Sequence, residues 1–257
     1  MRLGAAYNLF DGEELLEDSL KSIRSSVDFI IVIYQDISNF GHFSKIDLLS
    51  FLNGLKERGL LDDFILYTPD LFMKGHRNEI IKRNLGLEIC KENRCTHFLS
   101  IDTDEFYKND QLNYAKELIE SKDFDSSACQ MKTFYKTPEW RLDPPEQYYV
   151  PFIYKIDERI FNKAVWPIFA DPTRRMLPKK LKLFNRDELE MFHYSYVRKD
   201  IEIKLKNSSA SVNFSNRINE ISKYWDEWVP GTPVLVAGKE KKIFSVKKEE
   251  NIFNINI

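Results

Sequence analysis

Apolar and polar positions along the first half of the chain switch repeatedly between a period of two and a period near 3.6. Arg2 to Tyr7 is a short apolar strand, Glu13 to Ile23 sets Leu15, Leu16, Leu20 and Ile23 on one helical face, and Val27 to Tyr34 is almost wholly β-branched or aromatic. A second round follows: a helix opening at Ser44 and running through Glu57, a strand over Phe64 to Tyr67, a helix over Lys74 to Glu92, and a strand from His97 to Ile101. Strands interleaved with helices predict a mainly parallel sheet covered on both faces.

After a further helix at Asp110 to Ser121 the texture changes. Ser126 to Tyr135 reads as a strand, Thr137 to Glu146 is rich in turn residues, and Val150 to Ile156 reads as the next strand. Aromatic residues and prolines crowd this half, as they do where loops frame a binding cleft. The expected organisation is one continuous domain with two parts, residues 1–122 and 123–257. The basic stretch Lys239 to Lys248 reads as a solvated hairpin.

Composition narrows the picture. At 257 residues, 43% apolar and 30% charged, the chain can bury a sizeable core, and its formal charge of −2 argues against a surface built mainly for nucleic acid. No apolar run approaches the roughly 18 residues of a membrane helix, and Met1 to Tyr7 is too short for a signal-peptide core before Asn8 intervenes, so the cytoplasm is the expected compartment. Cys90, Cys95 and Cys129 lack the spacing of a zinc site and are expected as buried free thiols.

The strand that begins at His97 runs into three carboxylates, Asp102-Thr103-Asp104-Glu105, followed by Phe106. Open α/β sheets place ligands at such strand ends, and paired carboxylates there suit a hard divalent cation shared with substrate phosphates. A calcium loop would need an acid or amide at Phe106, glycine at Tyr107 and glutamate at Asn113. An aspartyl-phosphate enzyme would need Thr or Val at Phe106, and a P-loop needs a Gly-rich segment that the chain lacks. Helix capping accounts for one of the acids. Three in four positions repel one another and predict a cation between them.

These residues carry a resemblance. Asp102-Thr103-Asp104-Glu105-Phe106 resembles the DxDEF form of the DxD motif of GT-A nucleotide-sugar glycosyltransferases. Ala6-Tyr7-Asn8 with Glu13-Glu14-Leu15-Leu16 is similar to that family's first strand and helix. Arg83-Asn84-Leu85-Gly86 resembles the helix before its DxD strand, and Phe192-His193-Tyr194-Ser195 is a later match.

The resemblance implies a Rossmann-like, mainly parallel sheet flanked by helices, with a smaller antiparallel acceptor-side region. It implies Mn²⁺ or Mg²⁺ held by Asp102, Asp104 and His193, with Asp102 also reaching the donor ribose or a metal-bound water, and Glu105 touching metal or acceptor or serving as a helix-start charge. Ala6, Tyr7, Asn8 and Asp36 would hold the nucleotide, Tyr7 by stacking and Asp36 by accepting from the base. Lys74, Arg77, Arg83 and Arg198 would face the phosphates, with Lys199, Lys204 and Lys206 adding positive charge. Asp143, Glu146 and Asp171 are the candidates for a catalytic base. Trp140, Tyr148, Tyr149, Trp166 and Phe169 are an expected acceptor platform, and Asp171-Pro172-Thr173-Arg174-Arg175 an expected contact to an anionic acceptor.

The implied activity is metal-dependent transfer of a sugar from a nucleotide diphosphate donor to a hydroxyl on a glycan or lipid-linked glycan, with inversion as the first reading and retention, which needs no such base, as the alternative; a protein or a modified nucleic-acid base is the other acceptor class. A non-catalytic nucleotide-sugar-binding module and a metal-dependent nucleotidyltransferase are the rival readings.

Overall fold

A computed structural model describes residues 1–238 and 240–257. Its sheet is built around β1 (Leu3–Leu9), which lies parallel to and between β2 (Phe29–Tyr34) and β4 (His97–Asp102), with β3 (Asp63–Leu66) parallel to β2 on the outside. Every residue of β2 is buried, as a strand covered on both faces requires. Side chains of β1 alternate between two cores. Leu3, Ala5, Tyr7 and Leu9 pack with α1 (Glu13–Ile23), α2 (Leu48–Glu57) and α4 (Asn109–Lys122), whereas Ala6 packs with Ile80, Leu87 and Cys90 of α3 (Gly75–Glu92).

The helix resembling the Arg-Asn-x-Gly element owes each of its residues to a contact. A Cβ on Gly86 would collide with Ala6 Cβ, so only glycine lets α3 lie this close to β1. Asn84 Nδ2 donates to Phe161 O at 2.9 Å and its Oδ1 accepts from Phe161 N at 2.7 Å, tying α3 to a distant loop. Arg83 points to the acids.

The second half extends the sheet mostly antiparallel. β8 (Tyr149–Lys155) runs antiparallel to β4, and β6 (Ser126–Tyr135) antiparallel to β8. β9 (Leu181–Phe184) and β10 (Glu190–Tyr196) both lie parallel to β6, which the sequence pattern did not foreshadow. β10 also pairs antiparallel with the two-residue β5 (Glu105–Phe106), setting His193 opposite Glu105. An aromatic cluster of Phe106, Phe134, Phe192 and Tyr194 fixes that crossing. The chain closes through α5 (Ile201–Asn207), α6 (Ile218–Glu227), β11 (Val234–Val236) and β12 (Lys242–Lys248), the last pairing with β11 and with β7 (Trp140–Asp143).

Two boundaries differ from expectation for physical reasons. The helix expected from Ser44 begins at Leu48, because the Asp47 carboxylate caps it by accepting the Ser50 N–H at 3.0 Å. The residues after the acids form β5 rather than a helix start, since β10 is there to pair with them. The basic stretch expected as a solvated hairpin is instead largely the single exposed strand β12, which pairs with the buried β11 and with β7; Lys239 lies outside the described residues. All three cysteines are free and buried, and among the described residues no helix is long and apolar enough to cross a membrane.

Candidate functional site

Strand register brings the carboxyl ends of β1, β2 and β4 to one level: Asn8 lies opposite both Ile33 and Asp102. The three acids at and just past the end of β4 are held by three guanidinium groups. Arg83 Nη2 lies 3.1 Å from both Asp102 oxygens, and Arg174 Nη2 lies 2.6 Å from Asp102 Oδ2. Arg174 also grips Glu105 with both terminal nitrogens, at 2.6 and 2.9 Å, while Glu105 Oε2 accepts the Asp102 backbone N–H at 3.0 Å. Arg198 Nη2 donates to Asp104 Oδ2 at 2.6 Å. The repulsion that predicted a metal among all three acids is relieved by arginines instead.

The electrostatics follow from burial set against these partners. Burial pushes the Asp102 carboxyl upward, but Arg174 and Arg83 outweigh it and hold the group well below the usual carboxylate range. Asp104 is likewise held low by Arg198, and to a lesser degree by His193, against the penalty of burial. Glu105 is raised by burial, with Arg174 working against that shift. It is buried, so neither a helix-start charge nor contact with an acceptor describes its place.

Asp104 and His193 converge. Their Oδ1 and Nε2 atoms are 3.8 Å apart, and burial lowers the imidazole to about 4, leaving it neutral with a lone pair available. On its other side His193 Nδ1 lies 3.5 Å from Thr133 Oγ1, which donates to Glu146 Oε2 at 2.5 Å. A neutral imidazole beside a carboxylate, oriented through its second nitrogen, is a donor pair suited to a divalent ion. Asp102 does not complete a triad with them, because its oxygens are committed to Arg83 and Arg174. Among the described residues the only three acids or histidines whose ligand atoms converge are Asp11, Glu13 and Glu14, and Arg198 acts on Asp11 as it does on Asp104.

A pocket of about 160 Å³ opens at this edge, lined by Asn8, Phe10, Gln35, Asp102, Asp104, Arg198 and Lys204 among others, and an apolar cleft of about 530 Å³ adjoins it through Phe10, Asp11 and Asn207. Arg198 is buried, yet its Nε and Nη1 have no partner. Its guanidinium fits there because position 12 is glycine with φ 106°: a Cβ would strike Nη1. Burial lowers Lys204 to about 8, and Asp104 opposes that shift. Its Nζ lies 2.5 Å from Ser195 Oγ. A network behind these cations joins Glu79 to Asn8 at 3.1 Å, Asn39 at 2.9 Å and Lys82 at 2.9 Å, with Lys82 also bonded to Gln35.

Several expected residues lie elsewhere. Ala6 and Tyr7 sit inside β1, and Tyr7 is fully buried with its hydroxyl 2.9 Å from Ser19 Oγ, so Phe10 rather than Tyr7 is the aromatic at the pocket. Asp36 is exposed and outside the lining, where Gln35 takes its place. Lys74 and Arg77 are exposed at the start of α3, outside the pocket, and Arg83 faces Asp102 rather than open space. Lys199 and Lys206 line the adjoining cleft. Arg174, expected at an acceptor, is fully buried among the acids.

The three base candidates separate. Asp143 is half-exposed and paired to Arg141 at 2.9 Å. Asp171 caps a short turn through Thr173 N at 2.7 Å and lies 3.7 Å from Arg174 Nε. Glu146 is linked to His193 through Thr133, and burial raises its carboxyl. Of the aromatic platform, Trp166 is buried with Nε1 bonded to Met176 O at 2.8 Å, while Phe169 is exposed and meets Tyr148 edge-on.

No family profile and no curated protein matches the chain. Among solved structures, S. aureus TarS 1-349 superposes with a TM-score of 0.51 at 12% identity, over 87% of this chain and 72% of that one. The structure of S. aureus TarS 1-349 in complex with UDP gives 0.50 at 14% identity, over 87% and 73%. With the parallel β3-β2-β1-β4 core, the acids at its carboxyl edge and the antiparallel extension beyond them, these likenesses identify the fold of this chain as the GT-A fold of nucleotide-sugar glycosyltransferases.

Proposed function

We propose that this chain is a metal-dependent glycosyltransferase that moves a sugar from a nucleotide diphosphate donor to a hydroxyl acceptor with inversion. The observation that carries the reading is the convergence of Asp102, Asp104, Arg198, Lys204 and Gln35 on one pocket at the carboxyl edge of β1, β2 and β4. The UDP complex of S. aureus TarS supports a nucleotide-diphosphate donor by fold analogy.

In this reading Asp104 and His193 hold a Mn²⁺ or Mg²⁺ ion, which when bound adds a fixed positive charge for the donor diphosphate. Arg198 and Lys204, both in the pocket wall, place two cations beside that diphosphate. As the acceptor oxygen bonds to the anomeric carbon, the bond to the diphosphate breaks and its electron pair leaves with the phosphate, where these cations stabilise it more than in the ground state. Glu146 accepts the acceptor's hydroxyl proton, a role favoured by its raised carboxyl. Asp102 keeps Arg83 and Arg174 in place.

Thermal shift against a panel of nucleotide sugars, with and without Mn²⁺, tests the donor half, because a ligand bound only by the folded state raises the melting temperature. Release of nucleoside diphosphate then tests the chemistry. No stabilisation by any nucleotide diphosphate sugar, or release of pyrophosphate from a nucleoside triphosphate, would overturn the reading.

A further inference from the structure

Three consecutive apolar side chains, Leu71, Phe72 and Met73, stand exposed just before α3, and the Phe72 ring lies fully in solvent. A run of this kind is a liability on a water-facing surface unless something covers it. The local backbone does not require it. Asp70 Oδ1 accepts the Phe72 N–H at 2.9 Å, and Asn78 holds Tyr67 Oη at 2.7 Å and Asp70 N at 3.2 Å, so polar side chains at 71–73 would leave the turn intact. The patch is broader than the run: Leu71 lies against Gly41, and the exposed Phe40 reaches toward Gly75.

Cations surround it. Lys74 and Arg77 are exposed at the start of α3, and Lys163, on the loop that also exposes Val165, is close enough to act on His76 together with them. None of Lys74, Arg77 and Lys163 has an acidic partner among the described residues, and Asp70 is the one carboxylate in the run itself. A protruding apolar knuckle with unpaired, mobile-stemmed cations at its base differs from a protein interface core, which is flat and depleted of charge. It has the composition of a surface that enters the headgroup region of an anionic bilayer.

We propose that this face docks the protein on an anionic lipid bilayer, with Leu71, Phe72 and Met73 entering the boundary between headgroups and acyl chains and Lys74, Arg77 and Lys163 resting on lipid phosphates. The position of Gly75 against Asn39 and Ser209, which both line the donor-side pocket, brings the pocket rim to the membrane surface in that pose. The docking does not depend on the reaction assigned to the pocket.

Co-sedimentation of the full chain with phosphatidylcholine vesicles, and with vesicles containing about one-third phosphatidylglycerol, tests this directly. The expected result is partition onto the anionic vesicles about tenfold above the neutral ones. The Leu71→Ser/Phe72→Ser double variant loses about tenfold of that partition with its melting temperature unchanged, and Lys74→Glu/Lys163→Glu loses a similar factor. No vesicle binding, equal binding to both vesicle types, or full binding by the serine variant overturns the proposal. A dimer seen by light scattering that Phe72→Ser abolishes, without vesicle binding, overturns it in favour of a second copy of the chain.

Discussion

Arg174 grips both carboxylate oxygens of Glu105, at 2.6 and 2.9 Å, from a position 69 residues further along the chain and with no exposure to solvent. The same guanidinium reaches Asp102, so one side chain compensates two acids. Arg174→Met therefore leaves buried charge unpaired and is expected to destabilise the fold by about 3 to 5 kcal/mol. Arg174→Lys should recover little, because a single ammonium cannot reproduce the fork. Urea unfolding of both variants measures the loss, and a near-native midpoint for Arg174→Met would remove the role given to this contact.

Asp104→Ala and Asp102→Asn should fail differently. The first removes the carboxylate that faces His193 and Arg198, so donor turnover is expected to fall at least a hundredfold with metal-dependent nucleotide binding lost. The second leaves Arg83 and Arg174 short of a counter-charge, so its main effect is on unfolding, with metal-dependent binding retained. Steady-state kinetics and calorimetric titration with Mn²⁺ separate the two.

Thr133→Val tests the orientation of His193. Losing the hydroxyl between His193 Nδ1 and Glu146 is expected to weaken Mn²⁺ binding by about ten- to a hundredfold while nucleotide binding without metal is unchanged. Direct replacement, His193→Ala, should do at least as much. Unaltered Mn²⁺ affinity in both variants would take the ion away from this pair.

Gly86→Ala places a methyl group where Ala6 Cβ already stands. Neither atom lies on a flexible side chain, so α3 must move off β1, and the expected loss is about 1 to 3 kcal/mol. Because Arg83 rides on the same helix, donor binding should weaken too. Thermal melting and donor titration on one preparation read both effects.

His97 sets a pH dependence. Burial, with Lys155 and the N-terminal amine adding to it, lowers this imidazole from an ordinary 6.5 to about 4. The unfolded chain thus takes up a proton near pH 6.5 that the folded chain refuses until about pH 4. Stability from this group is full above pH 6.5 and is lost progressively as pH falls from there to about 4. In His97→Gln that part of the slope should vanish, which urea unfolding at pH 7 and pH 4.5 would reveal.

Much of this was legible in the chain. The alternation of strand and helix periods located the elements from β1 to β4 because burial on both faces leaves a strong local pattern, and the DxDEF run fell at the sheet edge as a strand ending in acids must. The misplacements have a common origin. β1 runs to Leu9, two residues past its expected end, so Ala6 and Tyr7 lie in its interior, and the pocket meets Asn8 and Phe10 instead. Arg174 stood out only as part of a loop expected at an acceptor; its actual partners, Asp102 and Glu105, lie across the fold, where no local pattern reports a pairing. Thr133 had no signal of its own, being one position in a strand that alternates like any other.

The two-rung ladder between β5 and β10 carries an evolutionary consequence. It holds the histidine strand in step with the acid turn through Phe192–Phe106 and His193–Glu105, with the Tyr194 N–H donating to Asp104 O at 2.7 Å beside them. One residue inserted or deleted between Glu190 and His193 would turn His193 to the opposite face of its strand. Length changes in this short interval should therefore be purged among descendants of this sequence, while the exposed turn near Gly231 drifts freely in length.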